Sequence, residues 1–309
     1  MNNTICLNEK YSTTRLVTKE KIEIINKSED KFESVLFLPE GEDRQAEGGL
    51  RTQGYFKKSY DDKALISVIT VVYNGEEFLE ETILSVIDQS YDNVEYIIID
   101  GSSTDSTIDI IKKYEDRIDY WVSEDDKGIY DAMNKGISLC KGDVIGIINA
   151  DDYIYLETLE NVVQIFKDEE VMYSYGKLDL MTENGKMLET IRSIGIKNIK
   201  YKIFKHMPFL HPTLFVKENV YRELGRYNLS YSLSADYDFT LRLGNSKYKG
   251  IRLDSSTGAF RLGGVSGGTK SYLQNHKLLL ANKVNPFLVY LNTLILFSKL
   301  YIRKFLYKE

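Results

Sequence analysis

LISVITVVYNGEEFLEETILSVIDQ, residues 65–89, decides the fold. Residues 65–73 are a continuous apolar, β-branched run. That is the composition of a strand buried on both faces, not of one that alternates. Asn74-Gly75 then breaks the run with turn formers. Over 76–89, Leu79, Ile83, Val86 and Ile87 fall on one helical face. A buried strand that turns at once into an amphipathic helix is the first half of a strand–helix–strand unit.

The unit repeats. VEYIIID (94–100), IDYWVSE (118–124) and DVIGIIN (143–149) read as further strands. Helices are expected over 105–116, with Ser102, Ser103 or Thr104 as N-cap, and over 129–142, ended by Gly142. The fold class is therefore α/β, a mostly parallel sheet with helices on both faces. Beyond Asp152 the pattern loosens. A helix at 156–168, a strand at 171–180 and a turn at 183–186 are followed by HPTLF (211–215) and SADYDFTLRLG (234–244). RLGGVSGG (261–268) reads as a flexible loop, and a gating role is one reading of it. The chain divides into an N-terminal extension (1–63), a regular α/β core (64–180), the other half of the same domain (181–270) and a helical tail (271–309). The extension is polar, with one apolar run at Val35–Leu38, and suits a short strand and an extended arm.

Among 309 residues, 43% are hydrophobic and 28% charged, ordinary for a globular protein of this size. A net charge of −6 argues against nucleic acid as a partner. Cys6 and Cys140 lie far apart and outside any metal pattern, which fits a reducing compartment. MNNTICLNEK is no signal peptide, and no run reaches the roughly 18 apolar residues of a spanning helix. The expected location is cytoplasmic, with peripheral contact on the inner membrane's cytoplasmic face through the tail. That tail is basic at its end, with Leu288, Leu291, Ile295 and Ile302 on one stripe. Packing on the domain, or on a second copy in a homodimer, is its alternative.

Open parallel sheets bind ligands beyond the carboxyl ends of their strands. Here those ends read Tyr73-Asn74-Gly75, Asp100-Gly101-Ser102-Ser103, Glu124-Asp125-Asp126-Lys127-Gly128 and Asn149-Ala150-Asp151-Asp152. So many carboxylates suit a metal–diphosphate complex, not a bare anion. A dinucleotide site is disfavoured, because the first turn has no G-x-G-x-x-G. A phosphatase reading of Asp100 lacks a second carboxylate two residues on.

SVITVVYNGEEFLEETILSVIDQSYDNVEYIIIDGSSTDST, WVSEDDKGIYDAMNKGI and KGDVIGIINADD together resemble the family 2 glycosyltransferases of bacterial polysaccharide synthesis. The resemblance is strong over residues 64–160 and weak to about 245. It implies a GT-A fold and an inverting transfer from a nucleotide-sugar, a UDP-sugar foremost, to a lipid-linked or growing oligosaccharide acceptor. It implies Mn²⁺ or Mg²⁺ on Asp151 and Asp152, with Asn149 at the first position of the DxD element. Thr70, Val72, Tyr73 and Asn74 would wall the base pocket, and Glu76 or Glu77 would approach the nucleotide. Asp100 would accept from the base's ring N–H. Lys127 and Asn134 would lie near the diphosphate or sugar. Ala235-Asp236 stands where the family has Glu-Asp, so Asp236 is the implied base, with His211 and Asp238 on the acceptor side. Two rivals stand beside this reading. One is a nucleotidyltransferase, which releases pyrophosphate instead of free nucleotide. The other is a non-catalytic sugar-nucleotide or glycan-binding subunit.

Overall fold

The apolar runs become the centre of one sheet. The computed structural model describes residues 4–41, 43–195, 207–263 and 269–306. Its strands are β1 (Ala46–Gly48), β2 (Ile66–Val72), β3 (Val94–Asp100), β4 (Tyr120–Ser123), β5 (Val144–Asn149), β6 (Tyr153–Ile154), β7 (Val171–Met181), β8 (Met187–Arg192), β9 (Phe215–Lys217) and β10 (Lys249–Arg261). The spatial order is β1, β4, β3, β2, β5, β9, β7, β10, β6, with β8 beside β7. The centre, β4-β3-β2-β5, is parallel throughout, and β7 and β10 are also parallel. Strands β1, β6, β8 and β9 run against their neighbours.

Alternate side chains of the central strands feed two cores. Ile69, Val71, Ile97, Ile99 and Ile147 pack under α3 (Ile129–Leu139) and α6 (Ala235–Gly244). Val68, Tyr96, Ile98 and Ile148 pack under α1 (Leu79–Ile87), α2 (Thr107–Lys113) and α4 (Thr158–Phe166). Helices thus cover both faces, as the unbroken apolar strands require. Helix α5 (Glu218–Leu224) follows β9, and α7 (Thr269–Ala281) and α8 (Pro286–Leu306) form the tail.

Several boundaries differ from expectation. Helix α3 stops at Leu139, because Cys140 is already extended. Gly142 serves close approach instead: a Cβ there would lie 2.6 Å from the Ser67 backbone nitrogen. Helix α2 starts after Ser106, and Asp105 Oδ1 accepts the Thr107 N–H at 3.0 Å. Of the proposed caps, Ser103 binds Asp100 and Asn74 instead. Residues 264–268 of the glycine-rich loop, on which the gating reading falls, lie outside the described residues.

The N-terminal extension is built into the body. Its strand forms at Ala46–Gly48, not at Val35–Leu38, and extends the sheet antiparallel to β4. Val17 and Leu50 are buried, and Ser12 Oγ donates to Val86 O and Ile87 O at the end of α1. Its charges matter more. Arg51 forms a 2.6 Å ion pair with Glu95, both side chains 2% exposed. Arg51 also donates to Leu36 O and Leu139 O, and Glu95 accepts from Ser67 and from Lys141 N. Buried Lys57 donates to Ser12 O and Arg15 O, and is attracted electrostatically to Asp119. Burial pulls the Lys57 ammonium down and pushes the Asp119 carboxyl up, while each charge opposes the other's shift. Glu95 and Asp119 stand at the amino ends of β3 and β4, so this network closes the sheet's lower edge.

Candidate active site

The register levels the upper edge. Val72 pairs with Asp100, and Asp100 with Ser123. Asn149 pairs with Val71, one residue lower. The four strand ends therefore open onto one surface, as expected at the carboxyl edge of a parallel sheet.

The loops after β2 and β3 are stitched together. Asn74 holds φ 50°, a left-handed conformation that asparagine tolerates. Its N–H donates to Ser103 Oγ at 2.7 Å, and its Oδ1 accepts Thr104 N at 2.8 Å. Gly75 N donates to Thr107 Oγ1, and Glu76 Oε2 accepts Ser106 N. Tyr73 projects outward, 66% exposed, beside this clamp. Thr70 does not reach the surface. It lies inside the core, two residues short of the strand end, and accepts from Tyr96 OH at 3.0 Å.

Asp100 is enclosed. Its Oδ2 accepts Ser103 N at 3.1 Å and Ser123 Oγ at 2.6 Å, and its Oδ1 accepts Ser103 Oγ. These donors make it a brace between the two loops, with no exposed oxygen to offer a base. The carboxylate nearer the surface belongs to Asp126, a strand-end residue to which the sequence assigns no individual role. It packs where a Cβ on Gly101 would stand, and its Oδ1 accepts Gly128 N at 2.7 Å. Burial raises its carboxyl above the usual range, with Asp131 and Asp100 adding to the effect. Gly101 was the available signal, since a residue without Cβ at a strand end leaves room for a neighbour. Glu124 is not open: Arg44 of the extension and Lys135 neutralise it at 2.9 and 2.8 Å. Lys127 is exposed. Asn134 is tied to Tyr227, accepting its N–H and donating to its carbonyl, both at 2.9 Å.

The Asp151-Asp152 pair divides its work. Asp152 is 2% exposed, its Oδ1 accepting Arg261 N and its Oδ2 accepting Asn149 Nδ2, each at 3.0 Å. Burial, and then the charge of Asp151, push its carboxyl up to about 8. Asp151 is half-buried and lines a cavity of ≈ 330 Å³ with Glu77, Phe78, Glu183, Arg261 and Leu262. It forms no ion pair among the described residues, and burial raises its carboxyl too. Asn149 Oδ1 is a buried acceptor without a hydrogen-bond partner there. No three His, Cys, Asp or Glu side chains cluster to cage a metal among the described residues. A Mg²⁺- or Mn²⁺-sized ion that takes one or two carboxylates and completes its shell with phosphate and water still fits Asp151.

Arg261 organises this wall, and the sequence reading had placed it only in a loop. It ends β10, bonds Glu81 at 2.6 Å, Glu183 O at 2.7 Å and Asp151 O at 3.2 Å, and lies 4.0 Å over the Phe78 ring.

A second cluster gathers at the start of α6. Asp236 Oδ1 accepts Tyr130 OH and Tyr237 N, both at 2.8 Å. His211 is buried and shares a 2.7 Å hydrogen bond with Tyr227 OH. Burial lowers its pKa, with Asp236 opposing the shift. Asp238 points elsewhere, into an ion pair with Arg242 at 2.8 Å.

Residues 67–225 match the family described as Glycosyl transferase family 2. The chain belongs to that family. A relative is the putative teichuronic acid biosynthesis glycosyltransferase TuaG of Bacillus subtilis, 34% identical over 130 residues, 41% of this chain and 52% of that protein. The uncharacterized glycosyltransferase MJ1057 of Methanocaldococcus jannaschii is 30% identical over 61% of this chain and 67% of its own. The chain thus spans about half the length of TuaG. Among solved structures, Staphylococcus aureus TarS 1–349 with UDP-GlcNAc aligns at TM-score 0.56 and 20% identity, over 70% of this chain and 66% of that one. The mannosyltransferase PcManGT of Pyrobaculum calidifontis, solved with GDP-Man and Mn²⁺, aligns at 0.53 and 19%, over 72% and 66%. These likenesses establish the GT-A fold for this family 2 chain.

Proposed function

We propose that this family 2 chain is a metal-dependent inverting glycosyltransferase. It moves a sugar from a UDP-sugar to a hydroxyl of a lipid-linked or growing surface glycan. The supporting observation is the Asp151-Asp152 pair, one carboxylate buried and tied, the other lining the cavity without an ion pair. TuaG, named for teichuronic acid biosynthesis, favours a polysaccharide acceptor. TarS with UDP-GlcNAc favours UDP over the GDP that PcManGT carries.

In this reading Asp151 would hold Mn²⁺ or Mg²⁺, and Asp152 and Arg261 fix Asp151 from behind. Such a cation would supply positive charge against the departing diphosphate. Val72, Tyr73 and Asn74 wall the base, Asp100 braces that wall, and Asp126 accepts from the base's ring N–H. Exposed Lys127 approaches the diphosphate, and Asn134 sets Tyr227. Asp236 takes the proton from the attacking hydroxyl. Among the described residues both of its donors fall on Oδ1, which leaves Oδ2 for that proton. Burial and the Asp236 charge keep Tyr130 protonated as a donor. A positioned base contributes roughly 10²–10⁴-fold.

The test separates the two carboxylates. Asp151→Ala is expected to lose Mn²⁺-dependent UDP binding and turnover together. Asp236→Asn is expected to bind UDP nearly as before while kcat drops roughly 10²–10⁴-fold. Free UDP as product supports glycosyl transfer, and pyrophosphate would replace it with nucleotidyl transfer. Normal turnover by Asp236→Asn would remove Asp236 as base.

A further inference from the structure

The tail carries two features that the donor site does not use. Helix α8 runs from Pro286 to Leu306, and its inner side is anchored. Val289 is 1% exposed and belongs to the core that holds Leu278 and Leu279 of α7. Thr293 hydrogen-bonds His276 of α7 at 2.7 Å. The outward side is apolar: Phe287, Tyr290, Leu291, Leu294 and Ile295 are all exposed, Phe287 by 73%. Their spacing of three and four residues makes one continuous stripe. Scattered apolar residues on a surface are ordinary, but a contiguous stripe marks an interaction site.

Charge selects the partner. From Lys270 onward the sequence has seven Lys or Arg against one acid, Glu309, although the whole chain carries −6. The remainder therefore holds the entire acidic excess. An apolar stripe on a cationic segment of an otherwise acidic protein complements an anionic, greasy surface. No described helix is long and apolar enough to cross a membrane.

We propose that α8 lies in the headgroup layer of an anionic membrane, its apolar stripe inserted and the tail's net positive charge drawn to the lipid phosphates. A self-association site would bring two such cationic segments together and is disfavoured by their repulsion.

Vesicle flotation of the full chain tests this. Binding to mixed phosphatidylglycerol and phosphatidylcholine is expected, weakened by salt, with little binding to phosphatidylcholine alone. Leu291→Glu/Leu294→Glu should lower partitioning more than tenfold. Lys299→Gln/Arg303→Gln/Lys304→Gln should lower it on the order of 10²-fold. UDP affinity and melting temperature, measured on the same samples, should not move in either variant. Failure to float, or equal binding to neutral vesicles, overturns the proposal. So does a wild-type dimer in sedimentation that Leu291→Glu/Leu294→Glu splits, which would make the stripe an interface between copies. Flotation needs no donor, so UDP binding without flotation overturns this proposal alone. Flotation without UDP binding overturns only the donor reading.

Discussion

At the amino ends of β3 and β4, Glu95 and Asp119 are buried beside Arg51 and Lys57. At the carboxyl end of β5, half-buried Asp151 stands beside buried Asp152. Both edges take carboxylates out of water, and each must offset that desolvation. The lower edge does so with cations from its own chain. The upper edge has Arg261, but its guanidinium pairs with Glu81 and reaches only the Asp151 carbonyl, so the Asp151 carboxylate has no ion pair among the described residues, and that like-charged neighbour raises Asp152 further. A self-neutralised cluster is costly to break, whereas one without an ion pair has room for a ligand's charge.

The largest expected effect is on the lower edge. Arg51→Met leaves Glu95 buried without its cation and should lower stability by about 3–5 kcal/mol in urea unfolding. Arg51→Met/Glu95→Gln should recover most of that. A loss under about 1 kcal/mol for the single change would break the contrast. On the upper edge, Asp126→Ala should weaken UDP binding by about 1–3 kcal/mol in calorimetry, with unfolding unchanged. Asp100→Ala should lower both affinity and stability, since Ser103 and Ser123 lose their acceptor. Equal effects from the two would mean that Asp126 is also only a brace.

A smaller effect depends on pH. Burial depresses the His211 pKa in the folded state, so the unfolded chain binds its proton first as pH falls. Stability is therefore lost as pH drops through the ordinary histidine value near ~6.5. The slope is at most about 1.4 kcal/mol per pH unit for one proton. His211→Gln should flatten melting temperature against pH below neutrality, and an unchanged profile would place His211 in solvent. Smallest of all, Asp151→Asn should lose no stability without metal, because it removes a desolvated charge. A drop as large as that of Arg51→Met would show that the Asp151 carboxylate is already ion-paired within the chain.

The sequence made the upper edge legible because its elements are local. Buried strands β2, β3 and β5 are runs rich in β-branched residues, β4 is aromatic, all four are closed by turn formers, and parallel pairing then levels their ends. Strands β6 and β9 have two and three residues, too few for any periodicity to register. Asp151 could be placed, but not the division of work with Asp152, which depends on Arg261 arriving 109 residues later. Thr70 and Asn134 sit in the right motifs, yet Tyr96 and Tyr227 claim them across the fold. The extension was least legible. A polar segment reads as solvated, and nothing local distinguishes Arg51 and Lys57 from surface residues.

That hidden role bears on where the chain can be cut. The family match begins at residue 67, and a fragment trimmed to start there would keep Asp100, Asp126 and Asp151. It would also keep Glu95 and Asp119 while discarding Arg51 and Lys57. Removing β1 would bare the edge of β4, a free row of backbone donors and acceptors open to intermolecular pairing. Such a fragment is expected to precipitate on expression, and a chimera grafting another family member's front half onto this one must carry its own cations for that lower edge. The unit that can be exchanged is larger than the unit that can be recognised.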